Sequence, residues 1–128
     1  MAILRSTGVL IGTSETVGDT IANNATDTGA EVDVLGDNTS AGDMEIYLVF
    51  TSTVTAGTID IKINSIRVTG QVYSKVAFER SFTPINGTQK IPIGRVPAAR
   101  FMNAEVKNNG TGANATNVAL LYTLTKLS

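Results

Sequence analysis

Apolar and polar residues alternate with a period of two along most of the chain, which predicts β-strands. The clearest strand is Asp43–Thr53, in which four large apolar side chains share one face: Met44, Ile46, Leu48 and Phe50. Tyr47 and Val49 lie on its other face, so the centre of this strand is expected to be covered on both sides. Alternation with this strength predicts a central strand of the fold.

Weaker alternation predicts further strands at 2–12, 30–35, 59–68, 72–83, 100–107 and 118–124. The core faces of the last two carry Met102, Ala104 and Val106, and Val118, Leu120, Tyr122 and Leu124. Gly8 marks a bulge in the first of these, and a change of phase after Asn64-Ser65 predicts a second bulge. Turn residues separate the strands at this short spacing throughout. The pattern predicts one antiparallel β-sandwich domain over 1–128, with seven or eight strands and jelly-roll topology as one option. Its expected core comprises Ile46, Leu48, Phe50, Ile61, Phe78, Val118 and Leu120.

Two stretches lack this alternation and are predicted to be loops. Residues 13–29 contain small polar residues with Val17 and Ile21 as their large apolar side chains, and form a long, adaptable loop. The Pro84–Arg100 stretch contains all three prolines, which remove backbone donors and exclude helix and central sheet. We expect it to be a stiff surface loop that presents Lys90, Arg95 and Arg100.

The composition removes several kinds of chemistry. The chain has no cysteine and no histidine, so it has no disulfide or thiolate site and lacks the commonest general base and metal ligand. The acidic residues Asp33, Asp37 and Asp43 fit an ordinary acidic turn better than a calcium loop. Glu79 and Glu105 fit paired charges on a sheet better than a catalytic pair. The sequence therefore predicts no catalytic residue, no metal site and no cofactor.

Charge is divided unevenly along the chain. Residues 1–60 carry nine acids and one base, whereas residues 61–128 carry nine bases and two acids. Either the two halves interleave and mix their charges, or they form an acidic face and a basic face that join copies or dock on a larger surface. The bases form no run and have no interleaved aromatic platform, so nucleic-acid binding is not expected. No stretch is a signal peptide or membrane span, and no membrane partner is expected.

Residues 84–128 contain the proline–arginine segment, the Phe101-Met102 strand, an Asn-Gly turn and a final apolar strand. In these features the last third of the chain resembles small structural proteins of tailed bacteriophage particles. It implies a non-enzymatic role on the virion, as a capsid decoration protein that stabilises the shell of major capsid protein. Such proteins are commonly trimers, so self-association as a homotrimer is expected. A head–tail connector or tail subunit, or a carbohydrate-binding module, is the alternative.

For a decoration protein we expect contacts to come from stiff or adaptable surface segments rather than from a deep cleft. The N-terminal residues 1–8 and the two loops, 13–29 and 84–100, are those segments. Their charged residues are the predicted partner-interface residues: Arg5, Glu15, Asp19, Asp27, Lys90, Arg95 and Arg100. Arginines in the proline segment could equally anchor it to the acidic half of the same domain.

Overall fold

The computed structural model describes residues 3–37, 41–66 and 75–127. Within these ranges the chain forms ten strands: β1 (Ile3–Ile11), β2 (Asp19–Ile21), β3 (Thr26–Thr28), β4 (Val32–Asp33), β5 (Ala41–Ser52), β6 (Thr58–Ile66), β7 (Lys75–Phe82), β8 (Gly87–Pro97), β9 (Phe101–Asn109) and β10 (Ala115–Leu127). The described residues contain no helix, in agreement with the all-β prediction.

The strands form two antiparallel sheets that pack face to face. The first sheet has the order β1-β10-β5-β8, with β2 also on β10, and the second has the order β3-β9-β6-β7, with β4 also on β9. β1 and β2 both pair with β10, and β3 and β4 both pair with β9. If each of these two pairs is counted as one strand, the sandwich has eight strands. Numbered along the chain, these eight strands run 1-8-3-6 in one sheet and 2-7-4-5 in the other. This is the order of a jelly roll, in which two Greek keys interlock.

The core lies between the sheets and follows the alternation of the sequence. Six of the seven expected core residues are buried: Ile46, Leu48, Phe50, Ile61, Val118 and Leu120. The faces predicted for β9 and β10 are also confirmed, since Met102, Ala104, Val106, Val118, Leu120, Tyr122 and Leu124 are all buried. Phe78 is only half-buried and packs against the rim of the core, because β7 is an edge strand of its sheet.

The prediction of a loop between Pro84 and Arg100 is wrong. Most of this stretch is strand β8, which pairs with β5 from Gly87↔Ser52 to Pro97↔Asp43. Proline is tolerated here because β8 is an edge strand, where a missing N–H costs no ladder bond if it faces outward. A register shift between Pro92 and Gly94 leaves Ile93 as an extra residue, and its side chain is buried in the core.

The prediction of one long loop over 13–29 also needs correction, because this stretch contains β2 and β3. Each has three residues, too short for alternation to be visible. The strand predicted at 30–35 is likewise reduced to β4, because residues 34–37 bend across the end of the sandwich. Val34 and Leu35 are buried there, and the Lys126 ammonium donates to the Leu35 carbonyl at 2.5 Å.

Bulges occur close to, but not at, the predicted positions. In β1 the register shifts between Val9 and Ile11 rather than at Gly8. Gly8 instead makes room for the phenol ring of Tyr122, since a Cβ at this position would lie 2.3 Å from the ring. The bulge expected in β6 lies between Ile63 and Asn64 in the pairing with β7. Residues 67–74, where the second half of this phase change falls, are outside the described ranges.

One fully buried polar residue, Asn108, ties together the turns at one end of the sandwich. Its side-chain amide donates to the carbonyls of Ile21 and Ala113, at 2.9 and 2.7 Å. Its backbone carbonyl accepts from Asn24 N–H and its N–H donates to the Ala25 carbonyl. A buried amide with these partners is satisfied and holds the turns in one arrangement.

Candidate interaction surface

The outer face of the first sheet brings together four of the seven predicted interface residues. Arg5 lies on β1, and Lys90 and Arg95 lie on β8, and all three are exposed. Glu15 belongs to the segment between β1 and β2, and its carboxylate lies 2.9 Å from the Lys90 ammonium. A single surface therefore collects charges that are far apart in the sequence.

An apolar strip crosses the middle of this face: Val9, Tyr47, Val49, Ala119 and Leu121. The strand register places Val9 beside Leu121 and Leu121 beside Tyr47, so the strip runs over β1, β10 and β5. Val49, Ala119 and Leu121 are buried although they point away from the core. This confirms that the centre of β5 is covered on both sides, as its sequence indicates.

A hairpin at residues 13–17 reaches across this face. Ser14 and Val17 form an isolated bridge, and Gly18 N–H donates to the Asn117 side chain at 2.8 Å. Asn117 lies in the irregular part of β10 with a φ of 52°, and its side-chain amide oxygen is the acceptor. Glu15 then extends to Lys90, whose ammonium lies 4.7 Å from the centre of the Tyr47 ring. The hydrogen bond with Glu15 raises the pKa of Lys90.

Beside the apolar strip lies a charged recess of about 260 Å³, lined by Arg5, Asp43, Glu45, Arg95, Thr123 and Thr125. Its charges follow the strand register, with Arg5 and Asp43 on either side of Thr125. Arg95 pairs with Glu45 at 2.5 Å, and both side chains are about two-thirds exposed, at 65% and 64%. Two arginines and two carboxylates are thus presented to solvent on rigid strands.

Asp19 and Asp27 lie away from this face, at the seam between the sheets. Asp19 is on β2 in register with Val118 of the first sheet, and Asp27 is on β3 in register with Val106 of the second. The hydrogen bond with Asp19, burial and the repulsion of the Asp19 charge raise the pKa of Asp27 to about 6. The hydrogen bond between these two carboxyl groups links the two sheets. Asp19 and Asp27 therefore do not belong to the interaction surface on the first sheet.

Arg100 is held by its own domain. Its guanidinium lies 3.5 Å from the Asp33 carboxylate and stacks over the Phe101 ring at 4.9 Å. The side chain is 33% exposed, half the exposure of Arg95. Arg100 therefore fits the anchoring role that the sequence left open, while Arg95 remains available to a partner.

The two halves of the chain interleave their charges. Five ion pairs occur in the described residues, and four join a base of 61–128 to an acid of 1–60: Lys90–Glu15, Arg95–Glu45, Arg100–Asp33 and Lys126–Asp37. The charge distribution allowed either interleaved charges or separate acidic and basic faces. These ion pairs show that the acids and bases of the two halves interleave over the surface.

The acidic residues that the sequence offered as calcium ligands or a catalytic pair lie apart or form ion pairs. Asp33 pairs with Arg100, Asp37 pairs with Lys126, and Asp43 lies on the outer face of β5, so they form no common site. Glu79 and Glu105 flank Lys62 on the outer face of the second sheet, as paired sheet charges would. Within the described ranges, no group of three metal-ligating side chains occurs.

Arg80 is a structural residue that the sequence did not identify. It interrupts the apolar phase of β7, and its guanidinium donates to the Ile93 carbonyl on β8 while stacking over Phe82 at 4.9 Å. It therefore closes the edge of the sandwich where β7 and β8 face each other. An arginine at an otherwise apolar strand position is the signal that points to such a role.

No family model, curated protein or solved structure matches this chain. Among the described residues no helix is long and apolar enough to cross a membrane.

Proposed function

We propose that the protein is a non-enzymatic structural protein of a bacteriophage virion, which decorates and stabilises the capsid shell through the outer face of its first sheet. The observation that carries this proposal is the combination on that face of an apolar strip with exposed arginine–carboxylate pairs. Interfaces are enriched in tyrosine and arginine, and Tyr47 and Arg95 lie here on adjacent strands. The phage assignment itself comes from the resemblance of residues 84–128.

The rigidity of this face supports attachment to a preassembled shell. Arg5, Arg95 and Tyr47 are on β1, β8 and β5, so their backbone positions are fixed before any partner arrives. A surface that is already ordered loses little conformational entropy on docking. The capsid surface is the corresponding location, with major capsid protein as the partner. A homotrimeric state is implied by the same resemblance and remains a prediction.

The surroundings of the tyrosines disfavour the carbohydrate-binding alternative. A sugar platform needs an open aromatic face, but the Tyr47 ring carries Lys90 and Tyr122 is buried in the core. Tyr73 lies outside the described residues. A decoration role requires no open aromatic face, so it is compatible with the positions of Tyr47 and Tyr122.

The proposal is tested with two double variants of equal charge change on opposite faces. Arg5→Ala with Arg95→Ala removes two cations from the outer face of the first sheet, and Lys62→Ala with Lys107→Ala removes two from the second. Each protein is added to undecorated heads of the tailed phage that carries the coding sequence, and occupancy is measured after sedimentation.

We expect the first variant to bind at least about tenfold more weakly, because interface arginines contribute strongly. The second should bind within about twofold of the parent. Both should melt within a few degrees of the parent, since exposed ion pairs contribute little to stability. Equal loss in both variants, or loss in the second alone, would contradict the proposed face. No binding by the parent protein would contradict the decoration role.

A further inference from the structure

The two edges of the first sheet are protected very differently. The β8 edge carries Pro92 and Pro97, the bulge at Ile93, and Arg80 of the facing sheet bound to its backbone. These are the devices by which natural sheets prevent further strand addition. The β1 edge has no proline and a single charge, Arg5. Within the described part of the chain, β10 is the strand that pairs with β1, so its other side has no strand partner.

The open part of the β1 edge has defined ends. From Ile3 to Val9 its pairing with β10 is regular, and the register shift follows directly after Val9. At Leu10 the backbone of Gly29 closes the edge, since a Cβ on Gly29 would lie 2.1 Å from the Leu10 carbonyl oxygen. The open segment is therefore seven residues long, with Ser6 at its centre.

Two large apolar side chains at the start of this segment have little cover. Ile3 is 68% exposed and Leu4 is 51% exposed, on opposite faces of the strand. At the other end of the segment lie apolar surfaces on the matching faces. Val9 ends the apolar strip of the outer face, and Gly8 is overlaid by the Tyr122 ring on the inner face.

We propose that the occupant of this edge is a second copy of the chain, paired β1 to β1 in antiparallel register about a two-fold axis at Ser6. This register sets Ile3 opposite Val9 of the other copy, so the apolar strip continues across the junction. It sets Leu4 opposite Gly8, beside the Tyr122 ring. Ile3 of each copy thus meets the apolar strip of the other copy, and Leu4 lies against the small Gly8.

Charge selects the same register. A two-fold axis at Arg5 would place the two guanidinium groups directly opposite each other, which is unfavourable. With the axis at Ser6, Arg5 lies opposite Thr7 instead. Backbone hydrogen bonds along seven residues then join the two first sheets into one continuous sheet, as in recognition by strand addition.

The proposed pairing follows from the features of the β1 edge and does not depend on the virion role. It gives a dimer, whereas the resemblance to decoration proteins implies a trimer, so the mass in solution separates the two. A single strand pair is a small interface, and we expect association in the micromolar range rather than tighter.

Substitutions at Ser6 test the axis, because a charge there faces its own copy. Ser6→Asp and Ser6→Lys should each weaken dimerisation at least about tenfold, and an equimolar mixture of the two should dimerise again through opposite charges. Thr88→Asp, on the exposed β8 edge of the same sheet, is the matched control and should leave the dimer unchanged. Sedimentation equilibrium up to several hundred micromolar gives the masses, and circular dichroism checks the fold.

The expected result is twice the 13.4 kDa chain mass for the parent and for Thr88→Asp. A monomeric or trimeric parent would overturn the proposal. Dimers that persist in Ser6→Asp, or that disappear in Thr88→Asp, would place the contact elsewhere. Folded Ser6 variants that do not associate when mixed would overturn the two-fold axis at Ser6.

Discussion

The two sheets share one core but use their outer faces in different ways. On the first sheet the outer face carries a second apolar cluster, together with arginines and carboxylates that are open to solvent. On the second sheet polar side chains bind one another: Asp60 accepts from Ser81 and Asn109, and Asn64 donates to Asn103 and Glu105. The outer face of the first sheet thus combines apolar and charged groups, whereas that of the second sheet is polar throughout the region of these hydrogen bonds. This contrast supports the proposal that the first sheet serves recognition as well as stability.

The strongest test of this difference is the loss of one phenylalanine from each sheet. Phe50 is fully buried on central strand β5, so Phe50→Ala should lower the free energy of unfolding by about 3–5 kcal/mol. Phe78 is half-buried on edge strand β7, and Phe78→Ala should cost about half as much. Urea denaturation measures both. Equal losses would show that the second sheet packs as tightly as the first.

The seam between the sheets is tested by pH. The pKa of Asp27 is raised to about 6 in the folded protein from an ordinary value of 3.8, so the folded state binds this proton more tightly than the unfolded state. The stability that it contributes is complete below pH 3.8 and is lost as pH rises through 6. Asp27→Asn should therefore be more stable than the parent at pH 8, by about 1 kcal/mol once solvent screening is allowed for.

At pH 3.5 the same variant and the parent should have nearly equal stability, because Asp27 is then protonated in the folded state and mostly protonated in the unfolded state. Urea denaturation at the two pH values gives the comparison, and Asp43→Asn, on the outer face of β5, is the control. A variant that is less stable than the parent at pH 8 would show that the ionised carboxylate of Asp27 stabilises the seam.

The smallest effects are expected from the ion pairs on the two outer faces. Double-mutant cycles for Arg95–Glu45 and Lys62–Glu79 should give coupling energies of about 0.2–1 kcal/mol, with the closer arginine pair at the upper end. Both should decrease in 0.5 M salt. A coupling above about 2 kcal/mol for Arg95–Glu45 would mean that this pair is needed by the fold and is not free for a partner.

The sequence predicts those parts of the fold in which burial dictates alternation. On β5, β9 and β10 the inward residues are almost all large and apolar, and their faces are predicted correctly. β8 is missed because prolines such as Pro92 and Pro97 occur both in edge strands and in loops. In addition, the bulge at Ile93 interrupts the alternation of inward and outward residues. Whether a strand lies at an edge depends on sheet order, which local pattern does not contain.

The candidate surface is predicted in part for a similar reason. Lys90 and Arg95 are assigned to a surface from the sequence because they are cations in a proline-rich stretch, although that stretch is a strand and not the predicted loop. Their partners are distant in the sequence, with Glu45 on β5 and Glu15 in the hairpin between β1 and β2, so local pattern does not show these pairs. The apolar strip is visible in the sequence at Tyr47 and Val49, but its other members lie on two further strands, β1 and β10.

The position of β10 has a consequence for the order of events in folding. This last strand lies between β1 and β5 in the first sheet, and it pairs Ile3 with Leu127 and Ile11 with Leu120. On the ribosome, β1 therefore lacks its partner until β10 has been made, more than a hundred residues later. Such distant pairing makes folding slow and leaves apolar strand edges exposed meanwhile. We expect this domain to fold only once β10 has been synthesised, and its yield to depend on how well β1 is kept from other chains.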